Sequence, residues 1–124
     1  SEISDGQRFY PVMKLSQRKH TLPGRKQVFR FYDEEGIMVR DVIGLEDEKI
    51  KGKPLLKKVV SRGKIIYEVP PLDKVRKYTL RNLTRLPRGL KNLNSKSRYR
   101  VEISARLRQL INTLTQEIGR RSRL

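Results

Sequence analysis

Six cations and one histidine, without a single acid, lie in the segment 14–30. The cations are Lys14, Arg18, Lys19, Arg25, Lys26 and Arg30. Lysine and arginine side chains bind phosphate groups through charge-assisted hydrogen bonds, which are stronger than neutral ones. The same composition also suits a nucleic-acid surface or a solvated basic loop. The segment therefore leaves three interpretations open: a small phosphate site, a nucleic-acid patch or a plain loop.

A turn divides this basic segment. Pro23 and Gly24 fit the two central positions of a type II turn, where glycine supplies the positive φ angle. Such a turn can present backbone N–H groups beside Arg25 and Lys26, which makes a workable phosphate cradle. Lys14 lies at the end of an expected strand, which would give its side chain a fixed stem. Because basic turns between strands are usually solvated, the loop interpretation stays open beside the cradle.

Residues for catalysis are sparse. His20 is the single histidine, and it lies beside Lys19 in a polar, basic stretch. We expect it to be an exposed loop residue. The acids cluster in turns, no metal-ligand spacing occurs, and neither the P-loop nor the G-x-G-x-x-G pattern is present. The sequence thus predicts that this chain, by itself, does not hold a full active site.

The totals set the class of protein. The chain has 124 residues, a net charge of +17 and no cysteine, so it has neither a disulfide nor a thiolate metal site. Its length allows one domain with a modest core. No apolar run reaches the roughly 18 residues of a membrane span, and the first ten residues carry no signal segment. Such a charge predicts an anionic partner: nucleic acid, a phosphate ligand, a membrane surface or an acidic protein.

The segment 8–69 has the patterns of β-strands. Phe9 to Leu15 is a short run rich in apolar residues. Residues 27–32 alternate in polarity, and after a turn at 33–36 the pattern returns over 37–43. Two strands joined by a glycine-containing turn predict a β-hairpin.

A second hairpin is predicted from two further apolar runs, 55–60 and 64–69. They flank Ser61-Arg62-Gly63, where glycine supplies the left-handed residue of the turn. The acidic triplet 46–48 lies between the two hairpins, and we interpret it as a solvated turn.

The segment 72–119 is helical in pattern. Apolar residues form a broad face on the first helix, namely Leu72, Val75, Tyr78, Leu80, Leu83 and Leu86. Pro71 suits the start of this helix, Asp73 suits the positive end of its dipole, and Pro87 stops it.

A short strand, Tyr99 to Ile103, precedes the second helix. Ser104 is a good N-cap and Gly119 stands where a C′ glycine would. The apolar positions between them are Leu107, Leu110, Ile111, Leu114 and Ile118. The tail 120–124 is basic, and we expect it to fray. The predicted fold class is α+β, with two β-hairpins followed by two helices in one small domain.

A nucleic-acid-binding protein is the alternative that explains the charge directly. Stacking modules need exposed aromatic rings on a basic sheet, and Phe29, Phe31 and Tyr32 are candidates around Arg30. A domain this small needs those rings for its core, which is the better interpretation. A stripe of arginines on the second helix could follow phosphates, namely Arg106, Arg108, Arg120, Arg121 and Arg123. No recognition motif of a known class is present.

Four stretches of the sequence resemble the C-terminal domain of nicotinate phosphoribosyltransferases. They read PVMKLSQRKHTLPGRKQVFR, FYDEEGIMVRDVIGLEDE, GKPLLKKVVSRGKIIYEVPPLDKVRKYTLRNLTRLP and YRVEISARLRQLINTL, and they follow the order of that domain. The resemblance covers most of the chain. Whole enzymes of this family are far longer and contain an N-terminal domain and an α/β barrel. The resemblance therefore implies a C-terminal domain only, as a fragment, a cleaved piece or the product of a split gene.

The resemblance also implies an activity and three site residues. The family transfers phosphoribosyl from phosphoribosyl pyrophosphate to nicotinate, giving nicotinate mononucleotide in the salvage of the vitamin toward NAD. By position, Lys14 matches a strand lysine that touches substrate phosphates in a related enzyme, and Arg25 and Lys26 match its basic turn. We expect the chain to contribute phosphate contacts and packing, and to be inactive alone.

Further expectations follow from the same resemblance. No cofactor is expected on this domain, whereas Mg²⁺ and ATP are implied for the whole enzyme, which couples transfer to ATP hydrolysis. The expected partners are the remaining domains of the same enzyme, in a cytoplasmic homodimer. The family does not account for the charge of +17, for which an acidic surface on those domains is the natural complement.

Overall fold

The computed structural model describes residues 2–4, 6, 8–16 and 20–123. The strands are β1 (Glu2–Ser4), β2 (Phe9–Pro11), β3 (Lys26–Tyr32), β4 (Met38–Leu45), β5 (Lys53–Pro54), β6 (Val60–Ser61), β7 (Lys64–Ile65) and β8 (Arg100–Ile103). The helices are α1 (Leu72–Thr84), a short 3₁₀ helix (Arg88–Lys91) and α2 (Ala105–Arg121). The α+β class is confirmed. Within the described residues, no helix is both long and apolar enough to cross a membrane.

A four-stranded sheet in the order β5-β3-β4-β8 forms the centre of the fold. The predicted first hairpin is β3 and β4, which pair antiparallel with Phe29 opposite Val42. The Asp33 carboxylate accepts hydrogen bonds from the backbone N–H of Glu35 and of Ile37, each at 2.9 Å. These bonds close the connection between the two strands, so the local sequence sets their pairing.

The sheet continues with β8, which lies parallel to β4. Parallel strands need a crossover, and here the chain between β4 and β8 includes α1 and the second hairpin. After β8 the chain turns directly into α2, which contacts β4. The buried apolar side chains are Phe29, Met38, Val42 and Leu107. The core is therefore small and lies where α2 meets the hairpin.

The N-terminal run differs from its prediction. The strand expected from Phe9 to Leu15 ends at Pro11, and it pairs with β1, which the sequence analysis did not predict. Because β1 has only three residues, the chain after Pro11 has no strand from β1 to pair with. Lys14 therefore lies beyond the strand and not at its end.

The second hairpin forms at the predicted turn but is much shorter than expected. Paired strands extend only over Val60–Ser61 and Lys64–Ile65, with one further bond from Ile66 N–H to the Val59 carbonyl at 2.9 Å. Both Arg62 and Gly63 have positive φ angles, 49° and 72°, so glycine is not the only left-handed residue. An isolated two-stranded ribbon is marginal in water, which accounts for the short pairing.

The helix boundaries need two corrections. The first helix was predicted to stop at Pro87, but it already ends at Thr84. Pro71 is its N-cap and makes no side-chain hydrogen bond there. The second helix begins at the predicted N-cap, since Ser104 Oγ accepts from the Leu107 N–H at 3.2 Å. Gly119 was predicted as the residue after the helix, but α2 continues to Arg121, so the start of the expected frayed tail is helical.

Candidate functional site

Lys14 is exposed, and its backbone is held across a loop. Its N–H donates to Thr21 Oγ1 at 2.8 Å, and its carbonyl accepts from the Thr21 N–H at 3.2 Å. This reciprocal pair joins the two ends of the segment 14–21. Lys14 lies outside β2, but its two hydrogen bonds with Thr21 hold its backbone in place. The side chain therefore starts from a fixed backbone position, although the predicted strand does not provide it.

Arg25 is half-exposed and has two partners from the N-terminal segment. Its Nε donates to Glu2 Oε2 at 2.8 Å, and its guanidinium lies 4.4 Å from the centre of the Phe9 ring. Planar guanidinium groups stack on aromatic rings and bind carboxylates in this way. These contacts tie the hairpin of β1 and β2 to the beginning of β3.

Arg25 also lines an open groove of about 440 Å³. Acidic side chains of Glu2, Glu46 and Asp47 line the same groove, together with Arg106. Arg106 Nη2 pairs with Asp47 Oδ2 at 3.1 Å. A groove with three carboxylates and two guanidinium groups is not a cationic pocket, and neither Lys14 nor Lys26 lines it.

Lys26 uses its ammonium group inside the chain. Its Nζ donates to the carbonyl oxygens of Leu22 at 2.8 Å, Pro23 at 3.4 Å and Gly24 at 2.7 Å. An ammonium has three N–H donors, so these bonds engage its full capacity. In this geometry Lys26 closes the turn, and a phosphate would have to displace carbonyl partners to reach it.

The Pro23-Gly24 turn has the predicted backbone form, since Gly24 has a φ angle of +78°. Both residues are buried. A Cβ added to Gly24 would lie 3.1 Å from Leu45 Cδ2 and 3.4 Å from Leu110 Cδ2. The turn is therefore wedged between β4 and α2, which makes it a packing element more than an open cradle of N–H groups.

The remaining residues of the basic segment do not form one site. His20 is exposed, as predicted. Arg18 and Lys19, expected in a solvated loop, lie outside the described residues. Arg30 is partly buried and belongs to a different cluster, described next.

Arg30, Asp41 and Tyr99 form a hydrogen-bonded cluster that joins three strand regions. Arg30 Nε and Nη2 donate to the two carboxylate oxygens of Asp41 at 2.8 and 2.7 Å. The Tyr99 hydroxyl donates to Asp41 Oδ1 at 2.9 Å. Arg30 and Asp41 are opposite each other on β3 and β4, and Tyr99 directly precedes β8. Because Asp41 is 7% exposed, this bidentate pair is largely shielded from water.

The cluster changes the proton affinities of its members. The hydrogen bonds from Arg30 hold the pKa of Asp41 below its usual range, against the opposing effect of burial. The same bond to Asp41 raises the pKa of Arg30. Burial, and then the bond to Asp41, raise the pKa of Tyr99 to about 12. All three shifts favour a charged Arg30, a charged Asp41 and a neutral Tyr99 at neutral pH, which is the state in which the hydrogen bonds of the cluster form.

Neither this cluster nor a second one at the start of α2 was predicted from the sequence. The Glu48 carboxylate accepts from the Leu45 N–H at 2.6 Å and from Ser104 Oγ at 2.7 Å. One member of the acidic triplet is thus structural, whereas Glu46 and Asp47 are exposed as predicted. An aspartate inside an apolar strand pattern, such as Asp41, was the available signal, because aspartate is depleted in strands.

No group of three or more histidine, cysteine, aspartate or glutamate side chains within the described part of the chain could hold a metal ion. Glu2, Asp41 and Asp47 are each paired with an arginine, and Glu48 accepts from a backbone N–H and from Ser104. The donor set of these described residues therefore does not fit Mg²⁺.

Comparison with known proteins agrees with the fold. The family model described as nicotinate phosphoribosyltransferase C-terminal domain matches residues 50–111, which is half of the chain. The crystal structure of human nicotinic acid phosphoribosyltransferase superposes with a TM-score of 0.71 and 25% identity, over 83% of this chain and 25% of that one. The structural likeness thus includes strands that lie before the matched residues.

Curated relatives carry the same name. Mouse nicotinate phosphoribosyltransferase is 28% identical over 85% of this chain and 24% of its own length. Nicotinate phosphoribosyltransferase pncB2 of Mycobacterium tuberculosis is 35% identical over 76% of this chain and 20% of its own length. None of these findings supports the nucleic-acid-binding alternative. The chain spans about a quarter of the relatives it matches, and it belongs to the C-terminal domain family of nicotinate phosphoribosyltransferases.

Proposed function

We propose that this chain is the C-terminal part of an enzyme that transfers phosphoribosyl from phosphoribosyl pyrophosphate to nicotinate. The products are nicotinate mononucleotide and pyrophosphate, in the salvage of the vitamin toward NAD. The observation that carries the proposal is membership of the family, through the match over residues 50–111. The described residues offer no set of nucleophile, base and oxyanion donors, so the chemistry belongs to the part of the enzyme outside this chain.

The contribution of the chain is a cation for the phosphates. In the transfer, the C1–oxygen bond of phosphoribosyl pyrophosphate breaks and the pyrophosphate leaves with its electron pair. Negative charge grows on that group, and a positioned ammonium stabilises it. Lys14 is the best candidate, because its side chain is exposed and its backbone is held by Thr21. Arg25 remains a second candidate, although Glu2 already binds it.

The remaining expectations belong to the complete enzyme. We place ATP and Mg²⁺ on the domains outside this chain, where ATP hydrolysis would drive the transfer in the manner of a ligase. Those domains are the proposed partners, in a homodimer in the cytoplasm. The chain itself supplies packing surface as well as Lys14.

The test is Lys14→Ala in the complete enzyme. Loss of one charge-assisted hydrogen bond predicts that the KM for phosphoribosyl pyrophosphate rises by about tenfold or more. The KM for nicotinate should stay near its original value, because nicotinate carries no phosphate. Steady-state kinetics with each substrate varied in turn measures both values.

Lys96→Ala is the matched control, since Lys96 is an exposed lysine near the 3₁₀ helix and far along the chain from Lys14. It should leave both KM values unchanged. If Lys14→Ala behaves like Lys96→Ala, Lys14 does not contact the substrate. A complete enzyme without any phosphoribosyl transfer to nicotinate would refute the proposed activity itself.

A further inference from the structure

Helix α1 has an apolar face but no buried residue. All thirteen of its residues are described, and none is buried. Leu72 is 82% exposed and Leu83 is 53% exposed. A single helix of about 12–15 residues is only marginally stable in water, and protein helices gain most of their stability by packing an apolar face. The face of α1 therefore requires a cover that the described residues do not supply.

The positions on the helix define this face. At 3.6 residues per turn, Leu72, Val75 and Leu83 fall on one side, and we call these three residues the α1 stripe. Arg76 lies at the edge of the stripe, about 40° around the helix axis from Leu72. Lys77 lies on the opposite side, where it points away from anything that covers the stripe.

Charge argues for an acidic cover. The chain carries a net charge of +17, so a second copy would approach against strong repulsion. In the helix itself, four of thirteen residues are cations and only Asp73 is an acid. A surface that places carboxylates near Arg76 would gain both steering and complementarity.

Length indicates where that surface lies. The matched relatives are about four times longer than their aligned part, so most of such an enzyme is outside this chain. The family match over residues 50–111 includes the whole of α1, so this helix is part of the matched domain and not an appendage.

We propose that the α1 stripe docks into an apolar groove on the catalytic part of the nicotinate phosphoribosyltransferase. Carboxylates at the rim of that groove receive Arg76. The inference rests on the proposed function, because that function supplies the partner. It adds the surface through which this domain is held, which the family match does not specify.

The test is amide hydrogen exchange in α1 within the complete enzyme. In the unaltered enzyme, the amides of residues 72–84 should exchange slowly, because the docked helix opens rarely. Leu83→Asp should speed their exchange by about tenfold or more, as expected from the loss of one buried leucine contact. Exchange in β3 and β4 should stay unchanged, because the core does not include Leu83.

Two matched controls accompany this variant. Leu93→Asp makes the same substitution at a leucine that is fully exposed and outside α1, and it should have no effect on α1. Arg76→Glu should speed the exchange, whereas Lys77→Glu, an equal change of charge on the opposite side, should not. This pair separates a local contact from a general effect of net charge.

The hydrogen-exchange results show what covers the α1 stripe. Rapid exchange of α1 in the unaltered enzyme, or equal effects of Leu83→Asp and Leu93→Asp, would overturn the docking proposal. Slow exchange that appears only after addition of vesicles of anionic phospholipid would mean that a membrane covers the stripe, and would also overturn it. Kinetics measured on the same samples distinguish the two proposals: a docked helix in an enzyme without phosphoribosyl transfer leaves docking intact and refutes the function.

Discussion

Asp41 binds two side chains that come from different parts of the chain. Arg30 reaches it across the hairpin, and Tyr99 reaches it from just before β8. Removal of one partner from such a shielded pair leaves a charge without compensation, which costs about 3 kcal/mol or more. At the scale of single residues, this cluster holds the strands together through polar contacts, in addition to the contacts of the small apolar core.

Tyr99 should lose its proton at a higher pH than an ordinary tyrosine does. Its pKa is raised to about 12 from the ordinary value of 10, first by burial and then by Asp41. A phenol whose folded pKa is raised stabilises the fold below pH 10, and this contribution is lost as the pH rises from 10 toward 12. Absorbance at the tyrosinate band during a pH titration should show a late step, above pH 10, that belongs to Tyr99.

Tyr99→Phe should remove that late step and lower the free energy of unfolding by about 1 kcal/mol through loss of one hydrogen bond. Tyr67→Phe is the control, since Tyr67 lies outside the cluster and contacts Lys57 instead, and it should leave the late step in place. A late step that survives in Tyr99→Phe would contradict the assignment.

Lys26 shows how one residue can satisfy a sequence pattern and still serve another purpose. The resemblance placed it in a phosphate-binding turn, and that role stays a prediction. Its ammonium binds three carbonyl oxygens, which are invisible in the sequence because any residue supplies them. Local composition identified the cation but not its partners.

At the scale of elements, α2 illustrates which end of a helix is easier to predict. The prediction of its start was correct because the side chain of Ser104 caps the helix by accepting a hydrogen bond from a residue only three positions away. The prediction of its end was wrong because Gly119 has no positive φ angle and remains within the helix. Glycine is common after helices, yet the residue type alone does not terminate one.

Gly119→Ala should therefore stabilise the chain. A Cβ at this position meets nothing within 4 Å, and alanine is favoured over glycine inside a helix by about 0.5–1 kcal/mol. Chemical denaturation should show a higher midpoint with an unchanged slope.

Gly24→Ala is the contrasting variant and should destabilise. Gly24 has a φ angle of +78°, and its added Cβ would lie 3.1 Å from Leu45 Cδ2. Equal effects of the two substitutions would mean that α2 does not continue past Gly119, or that the turn can relax without cost.

At the scale of the whole molecule, charge is far from balanced. The sequence has 30 lysine and arginine residues against 13 acids, and five ion pairs occur among the described residues. Exposed pairs contribute little individually, about 0–1 kcal/mol each. The excess of positive charge destabilises the compact state by self-repulsion, and we expect this repulsion to determine how stability depends on salt.

Salt should therefore raise the thermal stability of the chain. Between low ionic strength and about 0.3 M sodium chloride, screening weakens the repulsion among the cations, and the Tm measured by circular dichroism should increase. The double variant Lys91→Glu/Lys96→Glu, which lowers the net charge of +17 by four units, should show a smaller increase. A Tm that falls with salt would mean that ion pairs outweigh repulsion.

The residue pattern alone predicted the class, the first hairpin and the start of both helices, whereas the family was suggested by the resemblance of whole stretches of sequence. These features depend on neighbours in sequence: alternation over 27–32, a cap at Ser104, a proline before α1. Only the tertiary structure decided which cations have internal partners. Lys26, Arg30 and Arg25 are all cations of the same basic segment, yet each binds a different partner.

The physical reason is the distance along the chain between interacting groups. Tyr99 and Asp41 are 58 residues apart, and Glu48 and Ser104 are 56 apart. Such pairs exist only after β8 has been placed parallel to β4, a placement that no local pattern encodes. The same holds for α1, whose apolar face was evident from its spacing, while its lack of a buried residue became evident only once the chain was folded.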